Sequence, residues 1–357
     1  MINLLTGSAG AAVVVLVTMD IFRSLLVPRA TTGRMRLGPI MSRGMFPLWQ
    51  VISDRVPGRD RGQTVRANLA PLMLVLLLVI WTALLIFGFG LILWADRSGF
   101  EPNFVTLNDA LYASGSAFST LGVGGSVTGQ FARLAVVGCS LSGLAIVTVG
   151  ATFLISIQGG FGRREALVLR LEAHVTLPPS GVAILETYAR EDIVPRLGAF
   201  FEAWEAWAAE VAISHRAFPI LLFFRSNDSR CEWLAALGAV LDAAALLDTT
   251  LVDAPAEARA GAHFVLRTGA RLVGDLASQF VKPGGPSTEL VDHDRFHLHR
   301  TRLSAAGYSV NEDGETALAL YTERRASYAH ALGAVARRLR IDVDQRRAGD
   351  VDGGPLP

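Results

Sequence analysis

The sequence predicts an all-α membrane protein. It has three membrane-spanning helices, a short helix and strand that dip back between the second and third, and an all-α domain after the last span. Three observations carry this expectation. Apolar segments at residues 4–27, 67–95 and 132–157 are each long enough to cross a hydrocarbon core. Their flanks alternate between arginine-rich and acidic, as the orientation rule for membrane loops requires. Between the last two spans lies 109–125, DALYASGSAFSTLGVGG, with three glycines in four positions. Irregular backbone between two spans is tolerated only where it is buried in protein or lines a cavity.

Composition agrees with that class. Of 357 residues 51% are hydrophobic, and the mean hydropathy is positive. A net charge of +1 conceals a very uneven distribution. Cys139 and Cys231 are too far apart in sequence for a disulfide framework or a metal-binding cluster. Lys282 is the sole lysine, and the preference for arginine, alanine and glycine reads as compositional bias.

In chain order, 4–27 is the first span. It carries Asp20 and Arg23, three apart and so on one helix face, where they can partly neutralise each other. Ionisable residues inside a membrane are often functional, although Asp20 lies near the basic end and can also reach for the interface. A cleaved signal peptide would place arginines before the apolar run; here they follow it. The stretch 23–66 holds nine arginines against Asp54 and Asp60, which predicts a cytoplasmic loop. Within it, 41–56 offers Met45, Phe46, Leu48, Trp49, Val51 and Ile52 to the bilayer boundary. Gly44 and Pro47 interrupt that pattern, and a soluble cap on the cytoplasmic domain is the alternative.

The segment 67–95 is uncharged, with Trp94 as an interface anchor; its length predicts tilt or emergence at one end. Asp96, Glu101 and Asp109 against Arg97 suit an outer loop. In 132–157 Gly138, Gly143 and Gly150 alternate with Ser140, Ser142 and Thr148, a spacing that lets helices approach closely. This span is expected to end at Gly159-Gly160, before Arg163-Arg164 on the cytoplasmic side. The expected organisation is an N-terminal span (1–30), a basic linker (31–66), a membrane domain (67–160) and a helical cytoplasmic domain (161–357). The N-terminus would lie outside the plasma (inner) membrane.

After Arg163 no segment is read as apolar enough to span. Trp204, Trp207, Val211 and Phe218 recur at helical spacing, as a core stripe. Amphipathic 231–252 and a helix over 312–341 follow, with breaks at Pro178-Pro179, Pro219, Pro255 and Pro283-Gly284-Gly285-Pro286. Five or six helices are expected. No dinucleotide fingerprint or Walker loop occurs, and no span carries arginine at every third position. No hydrolytic or phosphoryl-transfer constellation marks an enzyme, and nothing points to nucleic acid. Asp292-His293-Asp294 with His297 and His299 is the one metal-like cluster, His293 and His297 sharing a helix face. A charged surface helix is the plainer reading, and no metal or other cofactor is expected there.

The order span, short helix, T-x-G-x-G, span resembles the pore domain of the tetrameric potassium-channel superfamily. That family's filter, TVGYGD, aligns without a gap on Thr120-Leu121-Gly122-Val123-Gly124-Gly125. Residues 108–119 have the length of its pore helix; Tyr112 falls where the family keeps an aromatic, and Ser119-Thr120 resemble its Thr-Thr pair. Arg133-Leu134 and Gly143 fall at the family's inner-helix start and gating-hinge glycine. The resemblance covers residues 67–157, and the first span is additional to it. It implies a homotetramer in the lipid bilayer that conducts monovalent cations, with potassium ions held in the filter. The ligands would be Thr120, Leu121, Gly122, Val123 and Gly124, supported by Tyr112, Ser116 and Ser119.

Elementary chemistry supports such a use. A cation leaving water needs its hydration shell replaced by oxygens at fixed positions, which backbone carbonyls supply. Strand carbonyls share a direction if successive residues alternate in handedness, and glycine enters the left-handed region at no steric cost. Gly122 and Gly124 are therefore the expected left-handed positions. One strand cannot surround an ion, so four chains about an axis are implied. The C-terminal end of the pore helix would present partial negative charge to the ion. Three departures loosen the filter: Val123 replaces the family's tyrosine, Gly125 its aspartate, and Ser116 a carboxylate that several members place behind the filter. A less selective cation channel, or a non-conducting receptor or scaffold working through its cytoplasmic helices, is the alternative.

Overall fold

A computed structural model describes residues 2–25, 68–226, 228, 230–280 and 292–341. The basic linker with its interfacial stretch 41–56, Lys282 and the break at 283–286 lie outside the described residues. The described chain is nearly all helix and falls into two units, Met1–Gly159 with Arg216–Ile220, and Gly160–His215 with Leu221–Pro357.

In the first unit α1 (Ile2–Leu25) packs along α2 (Leu69–Ala95), and α3 (Leu107–Phe118) packs against α2. A long helix, α4 (Gln130–His174), begins in this unit. Two short strands, β1 (Phe100–Glu101) and β2 (Ser126–Val127), pair antiparallel, Phe100 opposite Val127 and Glu101 opposite Ser126. They join the loops that enter and leave α3. The start of α3 is set by a capping box: the Thr106 hydroxyl accepts from the Asp109 N–H, and the Asp109 carboxylate accepts from the Thr106 N–H at 2.8 Å. Two of the helix's orphan donors are satisfied this way.

Helix α4 corrects the expected end of the third span. It runs unbroken through Gly159 and Gly160 to His174, 45 residues in all. At 1.5 Å per residue that is about 68 Å, roughly twice a hydrocarbon core. Interior glycine costs a helix only about 1 kcal/mol, and the next prolines, Pro178-Pro179, come only after His174.

Among the described residues four helices are long and apolar enough to cross a bilayer, in α1, α2, α4 and α7 (Trp233–Thr250). The expectation that nothing after Arg163 has that composition is therefore corrected. Burial separates the four. In α7, 89% of the apolar window is buried inside the protein, against 11%, 33% and 22% in α1, α2 and α4. A helix surrounded by other helices must be apolar all round, just as a lipid-facing one is. The three remaining helices, with their uncovered apolar surface, are consistent with a membrane protein.

In the second unit α7 is the central rod. Around it pack α5 (Gly181–Arg190), α8 (Ala256–Phe280), α10 (Gly314–Ala326) and α11 (Ala329–Leu339), with α9 (His293–Ala305) lying on α5 and α10. Helix α6 (Leu197–Ala217) adds Trp204 and Trp207 to the core. Among the described residues seven helices follow α4, rather than five or six. The extra one arises because 312–341 is two helices. Tyr328 interrupts it with φ −131°, buried with its hydroxyl donating to Asp242 Oδ1 at 2.5 Å. That anchor turns the chain so that α11 lies against α8. Phe218, expected to continue the tryptophan stripe, falls past the end of α6 and meets Phe153 edge-on at 5.4 Å.

Arg163 and Arg164, read from sequence as one basic flank, have opposite environments. Arg163 is exposed and pairs with Glu210. Arg164 is buried: its guanidinium donates to the carbonyls of Leu221 (3.0 Å) and Phe224 (2.8 Å) and to Glu165 Oε1 (2.9 Å). It also lies over the Trp233 ring at 5.0 Å. Only Arg163 behaves as a surface charge. His215 is buried in the same unit, with Nδ1 2.9 Å from the Val211 carbonyl. Burial, with the nearby Arg164 charge, pushes its imidazole down to about 3.

Candidate functional site

Helix α3 ends in a Schellman motif. The Thr120 N–H donates to the Ala117 carbonyl at 3.0 Å and the Leu121 N–H to the Ser116 carbonyl at 2.9 Å. The motif needs a left-handed residue just past the helix end, and Thr120 supplies it with φ 63°. The Ser119 hydroxyl donates back to Gly115 O (2.8 Å) and Ser116 O (3.2 Å). The end of α3 is thus closed by its own following residues.

Polar pins hold α3 between its neighbours. Ser114 Oγ donates to the Ile86 carbonyl of α2 at 2.8 Å. From α4, Cys139 Sγ donates to the Ser114 carbonyl at 3.4 Å and Ser140 Oγ to the Ala117 carbonyl at 2.9 Å. One turn on, Gly143 lies against the Phe118 carbonyl; a Cβ there would collide with the oxygen and come within 2.8 Å of the carbonyl carbon. Gly143, expected at a hinge, sits within continuous α4 at the point where α4 must approach the end of α3 most closely.

Residues 119–125 then run to β2 as an irregular segment exposed along most of its length. Its left-handed residues are Thr120 and Gly122 (φ 93°). The spacing is alternate, as anticipated, but shifted two residues toward α3, because the helix cap takes the first left-handed position. Gly124 is not left-handed, and a Cβ at either glycine would meet open space. Leu121 is 83% exposed. The Val123 carbonyl accepts from the Gly125 N–H at 2.6 Å, so that carbonyl is engaged within the chain. The Val123 side chain packs on an apolar cluster of Leu93, Phe100, Ala110, Ala113 and Ala132. Ser116 is buried behind the segment, whereas Tyr112 is 72% exposed and faces away from this chain's own core.

Asp20 lies elsewhere in the same unit. It is buried between α1 and α2 and accepts from Trp81 Nε1 at 2.8 Å, a partner 61 residues away that no sequence pattern announces.

The histidine cluster is rearranged relative to expectation. His293 and His297 do come together, with Nε2 atoms 3.2 Å apart. His299 is buried on the other side of α9. Its place is taken by Glu315, in the first turn of α10, whose Oε1 lies 3.0 Å from His293 Nε2. That hydrogen bond holds the His293 imidazole above its ordinary value.

No family model, curated protein or solved structure matches this chain.

Proposed function

We propose that this protein is a homotetrameric monovalent cation channel, conducting through the backbone of residues 120–124. The observation that carries the reading is the exposed glycine-rich segment between α3 and β2. Handedness alternates at Thr120 and Gly122, and apolar helices stand on either side. Alternating handedness is what a row of ion-facing carbonyls requires, and the cap at Ser119-Thr120 and the β1–β2 ladder hold the segment at its two ends. The Gly125–Val123 hydrogen bond would have to open for Val123 to serve as a ligand. In this reading the helices cross a plasma (inner) membrane with the N-terminus outside and the second unit in the cytoplasm. Four copies surround the ion, and potassium is the physiological cargo.

The test is cation flux into liposomes containing purified protein. Wild type is expected to conduct and Gly122→Ala to lose flux, since φ 93° is rarely adopted by a residue with a side chain. An absence of flux in wild type, or full flux in Gly122→Ala, overturns the proposal.

A weakly selective pore is the second reading, favoured by the position of Val123. Its side chain is taken up by an apolar cluster and carries no hydroxyl, so the family's brace from the filter to the pore-helix aromatic, at Tyr112 here, is lost. Reversal potentials in mixed potassium and sodium, on wild type and Val123→Tyr, separate the two. Gly125→Asp is a poor companion variant, because a Cβ at Gly125 would lie 2.7 Å from the Glu101 carbonyl oxygen.

A further inference from the structure

We propose that His293, His297 and Glu315 bind a divalent first-row transition metal ion of the Zn2+ class, joining the start of α9 to the start of α10. The three candidate ligand atoms lie within 4.8 Å of one another. Each is placed by local structure. Asp292 caps α9, its carboxylate accepting from the Asp294 N–H at 3.1 Å. This fixes the first turn, so that the rings of residues four apart meet, with centroids 4.3 Å apart and planes tilted by 51°. Asp313 caps α10 in the same way, accepting from the Thr316 N–H at 3.0 Å, which sets Glu315 in its first turn. Gly314 leaves room for the approach: a Cβ there would meet His297 Cε1 at 3.2 Å and Arg300 Cζ at 3.1 Å.

Proton counting points to a cation. A neutral imidazole has one N–H and one lone pair, on different nitrogens. If His293 Nε2 carries the proton that Glu315 accepts, it has no lone pair left for His297. If it does not, a lone pair faces a carboxylate at 3.0 Å. One proton serves two of the three groups at best, whereas a metal ion accepts two nitrogen lone pairs and a carboxylate together. The separations of 3.2 and 3.0 Å are close to the edge of a tetrahedron with bonds of about 2.0–2.1 Å, roughly 3.3 Å.

Two imidazoles and one carboxylate suit zinc or its neighbours and leave a position for water. The Asp294 carboxylate stands 3.9 Å from His293 Nδ1, the nitrogen through which an outer partner orients a histidine that ligates by Nε2. The His293 and Glu315 side chains are exposed, so an ion has direct access. Arg300, beside Gly314, is tied to the carbonyl oxygens of Asn311 and Glu312.

The test is calorimetric titration of Zn2+ into the full chain in detergent, stripped by chelator and carrying no polyhistidine tag. One ion per chain is expected. His293→Ala, His297→Ala and Glu315→Gln should each weaken binding by about tenfold or more, while His330→Ala, at an exposed histidine on α11, should not. Co2+ in place of Zn2+ should give a visible absorption band that the same three variants lose. His293 and Glu315 are exposed and His297 half-buried, so the variants should keep wild-type circular dichroism. Absence of saturable binding at micromolar Zn2+, or binding unchanged in His293→Ala and His297→Ala, overturns the proposal.

Discussion

The indole N–H of Trp81 donates to Asp20 Oδ2 at 2.8 Å, with both side chains buried between α1 and α2. A carboxylate in an apolar helix pair is costly unless hydrogen-bonded, so this contact registers the first helix against the second. Trp81→Phe removes the donor and is expected to destabilise the protein by about 1–3 kcal/mol. Thermal unfolding in detergent measures it. A double-mutant cycle with Asp20→Asn isolates the pair, and a coupling energy near zero would show that the contact contributes nothing.

Gly143→Ala places a methyl group against the Phe118 carbonyl. The end of α3 or the path of α4 must move, at a cost of about 1–3 kcal/mol. Lower thermal stability is expected, and on the proposed channel function reduced cation flux as well. An alanine variant with wild-type stability would refute the close approach.

Thr120→Gly tests the cap separately from the conduit. A β-branched residue at φ 63° is strained, and glycine relieves about 1 kcal/mol of that strain. Stability should therefore rise; on the proposed channel function flux should fall, because a hydroxyl oxygen is lost from the segment. A fall in stability would contradict the Schellman assignment.

The buried imidazole of His215 makes stability depend on pH. Its value in the fold is about 3, against an ordinary 6.5, so the unfolded chain binds a proton between those limits and the native chain does not. The stabilisation is complete above pH 6.5 and is lost as pH falls toward 3, by at most about 1.4 kcal/mol per pH unit. Denaturant midpoints between pH 7 and 4 should decline, and His215→Gln should flatten that decline. An equal slope in the variant would assign the effect to other groups.

Much of the architecture can be read from residue order, because a helix that meets lipid or a packed core writes its environment into its composition. The three apolar segments and the break at Pro178-Pro179 are local features: a helix lies over each segment, and none crosses the prolines. The two-helix division of 312–341 was not legible, since it depends on Tyr328 reaching Asp242, 86 residues away. Composition also failed to separate α7 from the other apolar helices, because burial against protein and exposure to lipid select the same side chains.

The candidate sites divide in the same way. By itself the sequence determined that a glycine-rich segment lies between two apolar helices, and that His293 and His297 share one helical face, because both follow from spacing along the backbone. Only the tertiary structure decided that Trp81 holds Asp20, that Gly143 clears the Phe118 carbonyl, that Thr120 takes the left-handed position and that Glu315 replaces His299. The partners in the long-range contacts come from different helices, and the packing that brings them together leaves no period in the sequence. The Thr120 conformation is local, but threonine disguises a position where the motif ordinarily calls for glycine.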